Sequence, residues 1–168
     1  MRPCLTRIID SMASHTEAVA EFRRGLAALE SALEGASPEE LAFVPAPGKW
    51  NIKQLTRHVA DTEIVVGMRM RQIIAEDNPT LIPFDQDKWA ANLGYEQADA
   101  FDSLARFRSL REDTTRLLES LPPAAFERTG NHIERGRKSL LEWVELFGKH
   151  VHTHALQIHD VREAWKKR

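Results

Sequence analysis

Apolar residues recur along this chain at alternating steps of four and three, the spacing that places them on one face of an α-helix. The two longest series have eight positions each, one running from Ile8 and Met12 to Leu33 in the first segment and the other in the last segment, at Leu140, Val144, Phe147, Val151, His154, Ile158, Val161 and Trp165. Three earlier segments share this periodicity, and the sequence has no convincing strand pattern. Helices with one apolar face bury that face against one another. The sequence therefore predicts an all-α fold, a four-helix bundle.

Capping residues and prolines indicate where the helices begin and end. The four helices are expected over residues 6 (or 15) to 33, 52 to 77, 98 to 121, and from 139 onwards. Capping boxes are expected at the second helix, from Asn51 and Gln54, and at the fourth, from Ser139 and Glu142. A long loop, residues 79–95, separates helices two and three. A loop of that length is expected either to be functional or to contain a short helix.

Composition restricts the class of protein. The chain has 168 residues, 42% of them hydrophobic, and a net charge of −2. This length predicts a single domain over 1–168, and the charge, with no basic face, predicts no nucleic-acid partner. The lone Cys4 cannot form an internal disulfide. With no signal-peptide pattern and no apolar run of about 20 residues, we expect no membrane association and a cytoplasmic location.

Three histidines are the strongest candidates for chemistry. His150 and His154 are one turn apart on the last helix, which places their Cβ atoms about 6 Å apart on one face. His58 lies beside the apolar stripe of the second helix and has the right phase to point inward. Together the three predict a divalent-metal site with open coordination positions. The alternative is that they are hydrogen-bonded core histidines, because helical phase alone does not show that they meet.

Four further polar residues are secondary candidates. Gln157, one turn after His154, could reach the pocket, and Asp61 could orient the His58 ring or be a solvated charge. His15 could line the pocket or be exposed. Glu63 interrupts the buried stripe of helix two and is a candidate general base.

A buried Glu63 also needs a partner, which gives it a structural alternative. Arg108 or Arg111 on the inner side of helix three would supply that partner. The remaining two histidines of the last helix, His152 and His159, fall on its outward side and are excluded from the site.

Several motifs resemble those of the DinB/YfiT-like family of four-helix-bundle proteins. They occur in the family's order, over most of residues 20–165, at Trp50–Leu55, His58–Glu63, Pro83–Trp89, Asn131–Leu140 and His150–Ile158. The resemblance implies a four-helix bundle in which His58, His150 and His154 bind a zinc, nickel or iron-type divalent ion. Water or substrate would occupy the remaining positions.

The resemblance implies two kinds of reaction, with the substrate unassigned. In a hydrolase, the metal lowers the pKa of bound water to about 7, and Glu63 or Asp61 would be the base. In an S-transferase, the metal would bind a low-molecular-weight thiol held by the 79–95 loop or by residues 128–137. The third alternative is a non-catalytic metal-binding or structural stress-response bundle. A homodimer is also possible.

Overall fold

The structure, a computed structural model, describes the backbone of residues 3–168 and the side chains of residues 15–168. Over these residues the α-helices are α1 (Pro3–Leu33), α2 (Pro38–Ala42), α3 (Ile52–Ala75), α4 (Gln86–Asn92), α5 (Ala100–Glu119) and α6 (Leu140–Lys166). The strands are β1 (Thr80–Leu81), β2 (Thr129–His132) and β3 (Gly136–Ser139), and 3-10 turns occupy Tyr95–Gln97 and Pro123–Glu127.

The four long helices form the predicted bundle. Helix α1 packs against α6 and α5, and α3 packs against α5 and α6. The described backbone of α1 is helical from Pro3, so the alternative start near residue 15 is wrong. Cys4 and the first two residues of its apolar series, Ile8 and Met12, lie outside the described side chains. The predicted four-helix bundle is confirmed.

Two predicted capping boxes begin the helices that carry the site. The Asn51 side chain accepts a hydrogen bond from the Gln54 backbone N–H at 2.9 Å, and the Gln54 side chain accepts from the Asn51 N–H at 3.0 Å. Ser139 and Glu142 form the same reciprocal pair at the start of α6. Each box satisfies backbone donors that the first helical turn leaves unpaired. The N-termini of α3 and α6 are thus set by local sequence.

The core consists of two clusters of buried apolar residues. One includes Leu29, Ile52, Phe107 and Ile158, and the other includes Phe22, Met70, Trp143 and Val144. The Arg111 guanidinium lies over the ring of Phe22 from one cluster and that of Phe107 from the other, at 3.6 and 4.8 Å from the ring centres. A charged side chain is therefore buried between the two parts of the core.

The expectation that the chain has no strands is wrong. A small sheet has the order β1-β2-β3, with β1 parallel to β2 and β2 antiparallel to β3. Its strands are two to four residues long and mostly polar, too short to show the alternation by which a strand is recognised. Gly130 lets the sheet approach α3, because a Cβ there would lie 2.9 Å from both Ile73 and Leu81. The sheet joins the two long connections beside the end of α3.

Both long connections before α5 contain helical structure. Residues 79–95 include β1 and α4, which Asp85 caps, so this loop contains the short helix that was one of its two alternatives. Helix α2, capped by Ser37 and Glu40, lies within the connection between α1 and α3. No helix in the described part of the chain combines the length and apolar character needed to cross a membrane.

Candidate metal centre

Three histidines from two helices meet at one point in the bundle. His58 comes from α3, and His150 and His154 come from α6. One potential ligand atom from each lies within 4.8 Å of the others. The Nε2 atoms of His150 and His154 are 3.0 Å apart, and the ring centre of His58 lies 4.8 Å from that of His154. Helical phase left open whether these residues meet, and the packing of α3 against α6 brings them together.

Burial keeps all three imidazoles neutral at physiological pH. Burial, followed by the neighbouring His154, lowers the pKa of His58 to about 4. Burial and then the other two histidines lower the pKa of His150 to about 3. The pKa of His154 is also lowered by burial, against a smaller upward effect of Gln157. Neutral imidazole is the form that binds metal ions, because its second ring nitrogen has a free lone pair.

The hydrogen bonds around the rings fit a metal-binding arrangement. Nδ1 of His154 lies 2.8 Å from Oε1 of Gln157. Since an amide oxygen only accepts, Nδ1 carries the proton and Nε2 is left with its lone pair toward His150. Nδ1 of His58 is buried and has no hydrogen-bond partner among the described residues. The neutral imidazoles have more lone pairs than the protein has hydrogen-bond donors to fill them. A divalent cation would bind the lone pairs that are left.

The histidine cluster lies between two cavities. A cavity of about 310 Å³ is lined by Pro83, Phe84, Gln86, Phe147, the imidazoles of His58 and His150, and the polar side chains Thr62, Arg69, His132, Glu134 and Arg135. A larger cavity of about 600 Å³ is lined by His154, Gln157, Asp160 and residues 45, 46 and 48–50, among others. Gln86 of α4 lines both. Each has the size of a small-molecule site; His58 and His150 line the smaller one and His154 lines the larger one.

Glu63 has a different environment from the one expected of a general base. It is buried, and its two carboxylate oxygens accept hydrogen bonds from Nε and Nη2 of Arg111 at 2.9 and 2.6 Å. It is not part of the histidine cluster. Of the two arginines proposed as its partner, Arg111 is the right one. Arg108 instead pairs with Glu30 at the surface, at 2.9 Å.

Asp61 does not orient His58. Its Oδ2 accepts from Nε of Arg57 at 3.0 Å, and its Oδ1 lies 3.7 Å from Nη1 of Arg106. His15 is also outside the cluster, and its ring stacks on Phe126 with centres 4.8 Å apart. Among the secondary candidates, Gln157 is the one that contacts a clustered histidine.

The excluded histidines lie outside the cluster, as expected. Nε2 of His152 is 2.9 Å from a carboxylate oxygen of Glu21, and His159 is exposed on α6.

Sequence reasoning missed several residues of the smaller cavity. Thr62 and Arg69 follow His58 at steps of four and seven, so all three share one face of α3. A buried arginine on that face was therefore detectable from the helical pattern. His132, Glu134 and Arg135 come from β2 and the hairpin turn, whose position depends on the unpredicted sheet.

The fold and the histidine cluster together define a four-helix bundle with a candidate metal centre between two of its cavities. The sequence model of the DinB superfamily matches residues 21–158, most of the chain. The protein belongs to the DinB superfamily, which confirms the family suggested by its motifs.

Individual relatives and a solved structure agree with this family. A Bacillus mycoides (strain KBAB4) protein named "putative metal-dependent hydrolase" is 34% identical over 116 residues, which cover 69% of this chain and 66% of that protein, just under two thirds of its length. A Bacillus cereus (strain 03BB102) protein with the same description is 29% identical over 135 residues, covering 80% of this chain and 78% of the relative.

Among solved structures, YfiT from Bacillus subtilis is described as a probable metal-dependent hydrolase with an unusual four-helix bundle topology. It superposes with a TM-score of 0.83 over 90% of this chain and 87% of YfiT, at 24% identity. At that identity the likeness supports the fold alone.

Proposed function

We propose that this protein is a metal-dependent hydrolase whose divalent ion is held by His58, His150 and His154. The observation that carries the proposal is the convergence of three imidazoles, one ligand atom from each lying within 4.8 Å of the others. Three protein ligands are the number that catalytic metal sites use, because they leave positions for water and substrate. The names of the relatives support the reaction class. Zinc, nickel and iron(II) all suit this ligand set.

The chain's own residues prepare the three rings for this role. Burial keeps His58 and His150 deprotonated, and Gln157 holds the proton of His154 on Nδ1. The ring of Trp50 lies 5.2 Å from that of His58, and the ring of Phe147 lies 5.7 Å from that of His150. These contacts hold the imidazoles in place and limit water on two sides. When bound, a divalent ion at such a centre supplies a water of lowered pKa and polarises a substrate carbonyl.

Neither Glu63 nor Asp61 suits the role of proton acceptor in this reaction. Both Glu63 oxygens are bonded to Arg111, and Asp61 is bonded to Arg57, so neither carboxylate is free to take a proton. Glu134, a residue that lines the same cavity as His58 and His150, is the acceptor that we propose instead.

A second candidate function is transfer of a low-molecular-weight thiol. The observation that favours it is the second cavity, of about 600 Å³, on the His154 side of the cluster. Two cavities that share one centre provide room for a thiol cofactor in one and an acceptor in the other. A bound thiol would be deprotonated by the same metal ion.

Measuring the metal content tests whether the three histidines bind a metal ion. Elemental analysis is done on untagged protein purified without chelators, alongside the His58→Ala and His154→Ala variants and the control His159→Ala, whose histidine is exposed on the same helix as His154. We expect near-stoichiometric metal in the parent and in the control, and loss of metal in the other two. A parent without metal that takes up no zinc, nickel or iron(II) would refute the proposal.

Activity then separates the candidate functions. Metal-loaded and metal-free protein are compared on ester and amide substrates, and on electrophiles with and without added thiols. Hydrolysis that depends on metal alone supports the hydrolase, whereas turnover that also needs thiol supports the transferase. A metal that raises the free energy of unfolding strongly but supports neither reaction would indicate a structural metal-binding bundle.

A further inference from the structure

Arg69 is a buried arginine whose guanidinium is only partly hydrogen-bonded. Its side chain is on α3 in the smaller cavity, and the residue is 4% exposed. Nη2 donates to the carbonyl of Ile82, but Nε is buried without a hydrogen-bond partner, and no carboxylate of residues 15–168 forms an ion pair with it. By contrast, Arg111 and Arg162 each pair with a glutamate. A buried charge with a free donor is costly unless something in the cavity binds it.

Two more polar residues line the same cavity. The Thr62 hydroxyl is buried without a hydrogen-bond partner in the described part of the chain. Nδ1 of His132 accepts hydrogen bonds from the backbone N–H groups of Glu134 and Arg135, at 3.2 and 3.3 Å. Because Nδ1 accepts, the proton of this neutral ring is on Nε2, which is therefore a donor. Thr62, Arg69 and His132 together form a cluster of donors without matching acceptors, the donor cluster.

The charges around the donor cluster suit a single negative charge. The exposed Arg135 and Glu134 also line the cavity, so two arginines oppose one carboxylate. Burial and then Arg135 lower the pKa of Arg69, and Glu134 raises it. Burial, followed by the two arginines, lowers the pKa of His132 and keeps that ring neutral at pH 7. One net positive charge matches a carboxylate, whereas a phosphate dianion would be repelled by Glu134.

We propose that the donor cluster of Thr62, Arg69 and His132 binds the carboxylate group of the substrate, whose reacting part lies at the three histidines. The substrate is thus a small molecule with one carboxylate, bound by charge-assisted hydrogen bonds from Arg69. The substrate role rests on the proposed function, but the carboxylate subsite itself is made of protein donors and does not require the metal.

The geometry of α3 agrees with this division of the cavity. Arg69 is eleven positions after His58, which is about 16 Å along a helix axis. Side chains on a helix point toward its N-terminus, so the long arginine side chain extends back toward Thr62 and His58. The 310 Å³ cavity between them is the size of a small organic acid.

Binding of butyrate tests the subsite, with butyramide as the uncharged analogue of the same shape and inorganic phosphate as the alternative anion. The titration follows side-chain NMR signals of Trp143, whose ring lies 5.7 Å from the Arg69 guanidinium and 5.5 Å from the His132 ring. It is done on metal-free and zinc-loaded protein. We expect butyrate to bind saturably in both states, and butyramide and phosphate to bind at least about tenfold more weakly.

Variants of Arg69 test whether this residue binds the butyrate. We expect Arg69→Met to weaken butyrate binding at least about tenfold and Arg69→Lys to weaken it less, since lysine keeps the charge but loses the planar donor pair. Arg71→Met is the matched control, because Arg71 is on the same helix and bonds Gly67 and Asp113 outside the cavity. It should bind butyrate as the parent does.

The possible failures are distinguishable. Equal binding of butyrate and butyramide, tighter binding of phosphate, or parent-like binding by Arg69→Met would overturn the subsite. If Arg69→Met does not fold, the comparison of the two probes on the parent protein and the Arg69→Lys result decide instead. Butyrate binding to a protein that takes up no metal would support the subsite while refuting the proposed metal centre.

Discussion

Helix α3 contributes to two sets of buried polar side chains, one of them shared with Arg111 of α5, and the fold treats the two sets in opposite ways. On one face, Glu63 and Arg111 bond each other through two parallel hydrogen bonds, and Arg111 also donates to the carbonyl of Phe22 at 2.7 Å. On the face that carries His58 and Arg69, buried donor atoms have no partner among the described residues. The first set is fully hydrogen-bonded within the protein, whereas the second faces a cavity.

The difference separates structural polar groups from ligand-binding ones. A buried ion pair with its hydrogen bonds filled needs nothing from solution, and its removal harms the fold. Buried groups that keep unfilled donors or lone pairs cost stability, and proteins retain such groups where a ligand fills them. Burial alone does not tell the two apart, since both sets are almost fully buried.

The largest expected effect is the loss of stability when the Glu63–Arg111 pair is broken. Glu63→Ala leaves Arg111 buried without its counter-ion and should reduce the free energy of unfolding by about 3–5 kcal/mol. Urea unfolding measures this. Glu30→Ala removes the surface partner of Arg108 and should cost at most about 1 kcal/mol. If the two variants were equally stable, the Glu63–Arg111 pair would not be structural.

The next largest effect is a change in the stability of the metal-free protein with pH. Because the pKa of His58 is about 4 in the folded metal-free protein and about 6.5 when unfolded, the unfolded state binds more protons between these values. Stability should therefore fall as pH decreases from about 6.5 to about 4, by about 3 kcal/mol from His58 alone. Unfolding of metal-free protein across this range checks it. His58→Asn should lose the part of this dependence that comes from His58, while His150 and His154 keep theirs, and an unchanged pH profile would contradict the burial argument.

A smaller effect is expected at Gln157. Gln157→Leu removes the acceptor that holds the His154 proton on Nδ1, so metal affinity should fall about 10- to 100-fold. Competition with a chromophoric chelator measures the affinity. Gln157→Glu keeps an acceptor oxygen and should retain tighter binding than Gln157→Leu. Equal affinity in the two variants would show that this hydrogen bond does not tune the site.

The smallest effect is expected on stability at Arg69. Arg69→Met removes an unpaired buried charge and one bond to the Ile82 carbonyl, so the free energy of unfolding should change by no more than about 1 kcal/mol. Arg111→Met leaves Glu63 unpaired and should cost about 3–5 kcal/mol. Denaturant unfolding of the two variants compares them. Equal losses of stability in the two variants would show that Arg69, like Arg111, has a structural role.

Much of the bundle was predictable because it depends on near neighbours in sequence. The apolar series, the capping boxes at Asn51 and Ser139, and the position of His150 one turn before His154 all act within a few residues. Predictions from such patterns agree with the structure because helix formation and capping depend on residues close in sequence. The sheet was missed for the opposite reason: β1 and β2 pair residues about 50 positions apart, and neither carries a periodic pattern.

By itself, therefore, the sequence determined the four helices, the bundle and the histidine pair of α6. Only the tertiary structure decided that His58 meets that pair, that Glu63 pairs with Arg111 rather than Arg108, and that His132 and Arg69 share a cavity. Helical phase gives the direction of a side chain but not its distance from another helix. That distance comes from packing between elements far apart in the chain, where the site and its unpaired donors are formed.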